Sequence, residues 1–137
     1  MIDLTIVTPE RLVVQEQADE LQIPGAEGYL GILPGHAPLF SELKVGEVGY
    51  RKGERWFFLS VAWGFVEVNA DHVRILAETA ERAHEIDLDR ATRAKERAEA
   101  RIAKGGDDID YRRALVALER ALIRLQVARK AHHVMHP

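Results

Sequence analysis

The stretch HVRILAETAERAHEIDLDRATRAKERAEARIAKGG, residues 72–106, changes its periodicity midway. Its opening, residues 72–77, is a short aliphatic run that reads as a strand. From Asp87 the small or apolar residues Leu88, Ala91, Ala94, Ala98 and Ile102 recur at steps of three and four, the spacing of one helix face. Asp87 has the short acceptor side chain of an N-cap, and Gly105-Gly106 provides a C-terminal stop. Strand chemistry gives way to helix chemistry near residue 80, so two kinds of structure share the chain.

Upstream of the change, the sequence is a series of short strands. Ile2, Leu4 and Ile6 alternate with Asp3, Thr5 and Val7 before Pro9 closes the run, the period-2 pattern of a half-buried strand. Further runs cover residues 11–16, 20–23, 28–33, 45–51, 55–61, 65–69 and 72–77. Lys52-Gly53 and Ala70-Asp71 suit hairpin turns, because glycine and Asp/Asn positions accept the positive φ such turns need. Eight of the ten glycines and eight of the nine aromatic residues lie at or before residue 65, whereas ten of the fourteen arginines lie at or after Arg82. The first part is therefore punctuated for turns, and many short strands at this spacing imply a sandwich or barrel.

Downstream, Asp108 or Asp110 can cap a second helix with an apolar stripe of Tyr111, Leu115, Leu118, Leu122 and Leu125. The expectation is a helical hairpin with arms of roughly 27 Å at about 1.5 Å rise per residue. Its first arm is alanine-rich, and each buried methyl contributes only about 1 kcal/mol against the entropy of fixing the chain. A hairpin that is marginal alone is a candidate switch.

The net charge of −3 argues against non-specific nucleic-acid binding. No cysteine is present, which excludes disulfides and thiolate metal sites and fits a reducing compartment. The N-terminus lacks the basic and apolar regions of a secretory signal. The longest apolar stretch, residues 56–68, is too short to span a bilayer and contains Ser60, Gly64 and Glu67. The chain reads as soluble, without direct membrane insertion. No glycine loop ending in Gly-Lys-Ser/Thr is present, and no acid, base and nucleophile set converges, so catalysis is not expected. His132, His133 and His136 fall in a tail expected to be frayed and solvated rather than metal-binding. Asp107, Asp108 and Asp110 are read as helix caps, and Trp56, Phe57, Phe58 and Trp63 as sandwich packing.

Two segments carry a family resemblance. Residues 28–39, GYLGILPGHAPL, resemble the glycine-rich strand and PGHAPL turn of the epsilon subunits of bacterial F-type ATP synthases, and residues 86–91, IDLDRA, resemble that family's IDxxRA nucleotide motif. The resemblance covers the whole chain in order. It implies a mostly β N-terminal sandwich over residues 1–84, followed over residues 85–137 by an α-helical hairpin of two antiparallel helices.

The charged residues of the hairpin have their own pattern. Asp87, Arg90, Ala94, Arg97 and Arg101 form a stripe beside the apolar one, and Arg113, Ala117, Arg120 and Arg124 form another on the second helix, facing outward or toward each other. Converging stripes would need an anion between them, and a polyphosphate offers oxygens matched to the guanidinium fork. Alanine would leave room for a flat base, and Asp87 could accept a hydrogen bond from an adenine amine. The alternative is a solvated face with carboxylates such as Glu96, Glu99 and Glu119 as partners, contributing a few tenths of a kcal/mol per pair. The resemblance implies the ligand: Glu81, Asp87, Arg90, Arg97, Arg120 and Arg124 match positions of family members that bind ATP, with or without Mg2+, as a regulatory ligand that is not hydrolysed, and Ala94 completes the expected site as the small residue of the stripe.

The resemblance also implies a role and partners. The sandwich would bind the gamma subunit and rest on the c-ring of the membrane sector, with Tyr29, Leu30 and His36 as interface candidates, on the cytoplasmic face of the bacterial plasma membrane. The hairpin would permit ATP hydrolysis when folded against the sandwich. Extended along gamma, it would inhibit hydrolysis by meeting the alpha and beta subunits of the catalytic head. The competing expectation is a freestanding ligand-binding β-sandwich module with a helical dimerisation tail.

Overall fold

The computed structural model describes residues 1–134, with side chains described through Lys130. The chain divides into two units, the first Met1–Arg82 and the second beginning at Ala83.

The first unit is a β-sandwich. In β1 (Ile2–Val7) the alternation seen in the sequence buries Ile2, Leu4 and Ile6. This strand lies between β2 (Leu12–Ala18), which is antiparallel to it, and β8 (His72–Arg82), which is parallel. The remaining strands are β3 (Glu20–Gly25), β4 (Gly28–Ile32), β5 (Leu39–Leu43), β6 (Gly46–Lys52) and β7 (Arg55–Asn69). Hydrogen bonding runs in the order β2-β1-β8-β7-β5-β3-β4, and β6 also pairs with β3 and β7. Because β5 and β6 lie against successive halves of β7, they act as one interrupted strand between β7 and β3. The apolar faces enclose a core that includes Leu21, Ile23, Val48, Tyr50, Leu59, Val66 and Ile75.

Three strands differ from the sequence expectation. Residues 55–61 and 65–69 belong to one 15-residue strand. Its interior bends at Trp63 (φ 47°) and Gly64 (φ 135°) while register with β8 is kept on both sides, Ala62 opposite Thr79 and Gly64 opposite Ala77. Glycine is required there, since a Cβ on Gly64 would sit 1.8 Å from the Leu76 carbonyl oxygen. β8 continues to Arg82 because β7 offers it a ladder of matching length. β5 was not expected: it follows Pro38 closely and leaves Phe40 exposed, so its pattern is weak. The two hairpin turns do form where expected, with positive φ at Gly53 (64°) and Ala70 (55°).

The second unit opens with a single 3-10 turn, Ala83–Glu85, and contains α1 (Leu88–Lys104) and α2 (Asp108–Val134). Asp87 caps α1, its Oδ1 accepting the Arg90 N–H at 3.0 Å. The cap of α2 is Asp107, which accepts the Asp110 N–H at 2.8 Å. Asp108 and Asp110 instead occupy the first helical turn, where negative charge suits the helix dipole. At 27 residues, α2 is far longer than the expected arm, about 40 Å at 1.5 Å per residue. It runs through His132 and His133, whose side chains lie outside the described residues, as does His136 entirely.

The seam between the helices also differs from the leucine stripe. Tyr111, Leu115 and Leu122 are 47%, 41% and 45% exposed, whereas Ala114, Ala121 and Leu125 are buried and Leu118 is half-buried. On α1 the buried residues are Ala91 and Ala98. Ala98 and Ala114 are equally far from the turn in sequence, as are Ala91 and Ala121, so the buried alanines stand at two matched levels of the hairpin. Small side chains allow close backbone approach, which is why the seam follows them rather than the larger leucines.

Candidate functional site: an arginine flank and a loop end

On α1, Arg90, Arg97 and Arg101 immediately precede the buried Ala91 and Ala98 and the half-buried Ile102. On α2, Arg113, Arg120 and Arg124 immediately precede Ala114, Ala121 and Leu125. Each arginine therefore stands about 100° from the seam in one rotational sense. In two antiparallel helices packed face to face, the same sense on both helices places the two rows on the same side. The hairpin thus carries two arginine rows on one flank, with Ala94 and Ala117 nearer the seam between them. Arg90 and Arg97 are exposed; Arg120 and Arg124 are half-buried.

Of the seven residues expected at a nucleotide site, the hairpin holds six. Arg90, Ala94, Arg97, Arg120 and Arg124 share the flank, and Asp87 stands at the N-terminus of α1 with Oδ1 committed to capping. Glu81 belongs to the first unit, on β8 opposite Ser60. Among the described residues neither Arg90 nor Arg97 makes an ion pair, so Glu96 and Glu99 do not neutralise them along the helix. Among the described residues no group of His, Asp and Glu is arranged to hold a metal ion.

The second region is one end of the sandwich. Leu33-Pro34-Gly35-His36 form a tight turn closed by the His36 N–H donating to the Leu33 carbonyl at 3.2 Å. Pro34 and Gly35 (φ 83°) fill the central positions of a type II turn, which needs positive φ at the second of them. Asp71, in the turn between β7 and β8, holds this loop: its Oδ1 accepts the Gly35 N–H at 2.9 Å and its carbonyl accepts the Asp3 N–H at 2.7 Å. His36 is half-buried, with Nδ1 2.6 Å from the Ala37 carbonyl. Tyr29 is 60% exposed, and its hydroxyl accepts the Glu47 N–H at 3.1 Å. Leu30 packs against the core, which leaves Leu33 as the exposed aliphatic residue of the loop.

A surface that the sequence did not single out lies across β5, β7 and β8. Phe40 and Phe65 stack with ring centroids 5.5 Å apart, and both are exposed, as is Leu76 opposite Phe65. Aromatic residues in a strand read as core from sequence; only the register shows that these point outward.

Comparisons with known proteins cover both units of the chain. The β-sandwich domain of the ATP synthase delta/epsilon chain matches residues 1–83, and the long α-helix domain of the same chain matches residues 84–129. The ATP synthase epsilon chain of Geobacter metallireducens is 49% identical over 132 residues, 95% of this chain and 95% of the relative. The epsilon chain of Koribacter versatilis is 55% identical over 106 residues, covering 77% of this chain and 75% of its own. Among solved structures, a chain of the Euglena gracilis mitochondrial ATP synthase, determined as OSCP/F1/c-ring, is similar with a TM-score of 0.76 at 25% identity, covering 98% of this chain and 81% of that one. A chain of the Tetrahymena thermophila mitochondrial ATP synthase central stalk and c-ring shares the fold, with a TM-score of 0.65 at 14% identity over 93% of this chain and 96% of that one.

Proposed function

This chain belongs to the ATP synthase delta/epsilon chain family, and from that premise we propose that it is a non-catalytic rotor subunit of the central stalk whose helical hairpin inhibits ATP hydrolysis under the control of bound ATP. The observation that carries this reading is the placing of two arginine rows on one flank of the folded hairpin, over alanine. A triphosphate between Arg90 and Arg97 of one row and Arg120 and Arg124 of the other accepts charge-assisted, bidentate hydrogen bonds from their guanidinium groups. The base lies toward Ala94, and the Asp87 oxygen that does not cap the helix accepts from its exocyclic amine. ATP, with or without Mg2+, is then a ligand of the folded hairpin and not a substrate.

The sandwich couples rotation through its partners. Tyr29, Leu33 and His36 at the loop end suit the c-ring, and the exposed Phe40–Phe65–Leu76 surface suits the gamma subunit. The subunit is peripheral, on the cytoplasmic face of the membrane; among the described residues no helix is long and apolar enough to cross one. When the hairpin opens, the basic side chains of α2 reach toward the alpha and beta subunits of the catalytic head and oppose reverse rotation. The exposed flank of Leu88, Tyr111, Leu115 and Leu122 would favour a dimerisation tail instead if the isolated chain self-associates and ignores gamma.

Deletion of the residues after Glu85 tests the inhibitory role. Enzyme assembled with the truncated subunit is expected to hydrolyse ATP faster than the intact complex. Equal rates in complexes of equal subunit composition would remove inhibition from the proposal.

A further inference from the structure

The two arginine rows extend past the nucleotide set to the turn of the hairpin. Arg101 and Arg113, the members nearest the turn, join Lys104, Gly105 and Asp110 around an open cavity of about 480 Å³. Three cations and one carboxylate face this space. Among the described residues Arg101, Lys104 and Arg113 make no ion pair. The neighbouring Asp107 caps α2 by accepting the Asp110 N–H at 2.8 Å and does not line the cavity. The backbone is also uncovered at Gly105, where nothing lies within 4 Å of the position a Cβ would take.

Cations gathered from two helices by a tight turn repel one another unless an anion or solvent intervenes. We propose that this cavity is an anion subsite for a short phosphate chain of the pyrophosphate class, separate from the nucleotide flank. Two guanidinium forks, one from each helix, can each take a pair of phosphate oxygens, and Lys104 adds a mobile point charge. Convergence on one concavity favours a compact, multiply charged anion. An acidic peptide would spread its carboxylates along a backbone rising about 3.3 Å per residue, with successive side chains on opposite sides. A phosphate chain bound here joins α1 to α2 at the turn and stabilises the folded hairpin by mass action, independently of ATP.

The test is calorimetric titration of the full chain with inorganic pyrophosphate, with and without saturating ATP, repeated on the Arg101→Ala/Arg113→Ala double variant. Both side chains are exposed, and a thermal melt followed by helical circular dichroism confirms that the variant is folded. Pyrophosphate is expected to bind the native chain even when ATP is saturating. The double variant should bind it at least about tenfold more weakly, as loss of charge-assisted hydrogen bonds requires, while keeping its ATP affinity. Pyrophosphate binding that survives when ATP fails to bind would remove the nucleotide site and leave this one standing. The subsite is overturned by absence of saturable pyrophosphate binding at millimolar concentration, by full displacement of pyrophosphate by ATP, or by tighter binding of an oligoglutamate of equal charge.

Discussion

Tyr50 has its whole side chain buried in the sandwich, and its hydroxyl accepts from Arg82 Nη1 at 3.0 Å. Arg82 also donates from Nε to the Val13 carbonyl at 3.3 Å and lies 4.0 Å from Glu16. Burial pushes the phenol pKa above its ordinary value; Glu16 adds to the rise and Arg82 partly opposes it. A raised pKa means that the fold holds the proton more tightly than the unfolded chain does. The contribution is therefore complete below the unfolded value of about 10 and is lost as pH rises through the folded one. Thermal melts across this alkaline range should show the native chain losing stability more steeply than Tyr50→Phe. At neutral pH the variant should be less stable by about 1–3 kcal/mol, because Arg82 loses an acceptor. Parallel pH dependences would contradict this assignment. The sequence did not single out this residue, since its polar partner comes from a strand remote in the chain. Asp87 was legible as a cap because capping is local. The arginine stripes were legible too, but their sharing of one flank was not: that follows from each arginine preceding a seam residue, and the seam was unknown.

The elements show why pattern and packing can part. Hydrophobicity directs attention to Leu115 and Leu122, yet the hairpin closes on Ala91, Ala98, Ala114 and Ala121. Apolar periodicity marks faces, and it cannot say which of two adjacent faces a partner helix will choose when small residues recur at matched positions. Ala98→Leu should overpack this seam and cost about 1–3 kcal/mol, whereas Leu115→Ala should stay within about 0.5 kcal/mol. Hydrogen exchange of the α1 and α2 amides in the two variants reads the difference, and a larger loss for Leu115→Ala would place the seam back on the leucines. In the sandwich, β1 and both hairpin turns were legible because alternation and turn residues act locally. β5 and the unbroken course of β7 were not, since Gly64 reads as a breaker until the Leu76 carbonyl is seen packed against it.

At the scale of the whole molecule, the composition break near residue 80 anticipated two kinds of structure, and the family's two matched domains divide at residue 83. Aliphatic side chains and Tyr50 fill the core of the sandwich, while the buried residues of α1 are the two alanines Ala91 and Ala98. A ligand restricted to the folded hairpin and present at 100 times its dissociation constant would stabilise that state by about 2.7 kcal/mol. That suffices to reverse a near-balanced equilibrium between folded and open forms. The most direct test of this switch is calorimetric titration of the isolated chain with ATP, repeated with Arg124→Ala. Saturable binding to the native chain that the variant loses is the predicted result. Absence of binding at millimolar ATP, or undiminished binding to the variant, would contradict the arginine flank as a nucleotide site.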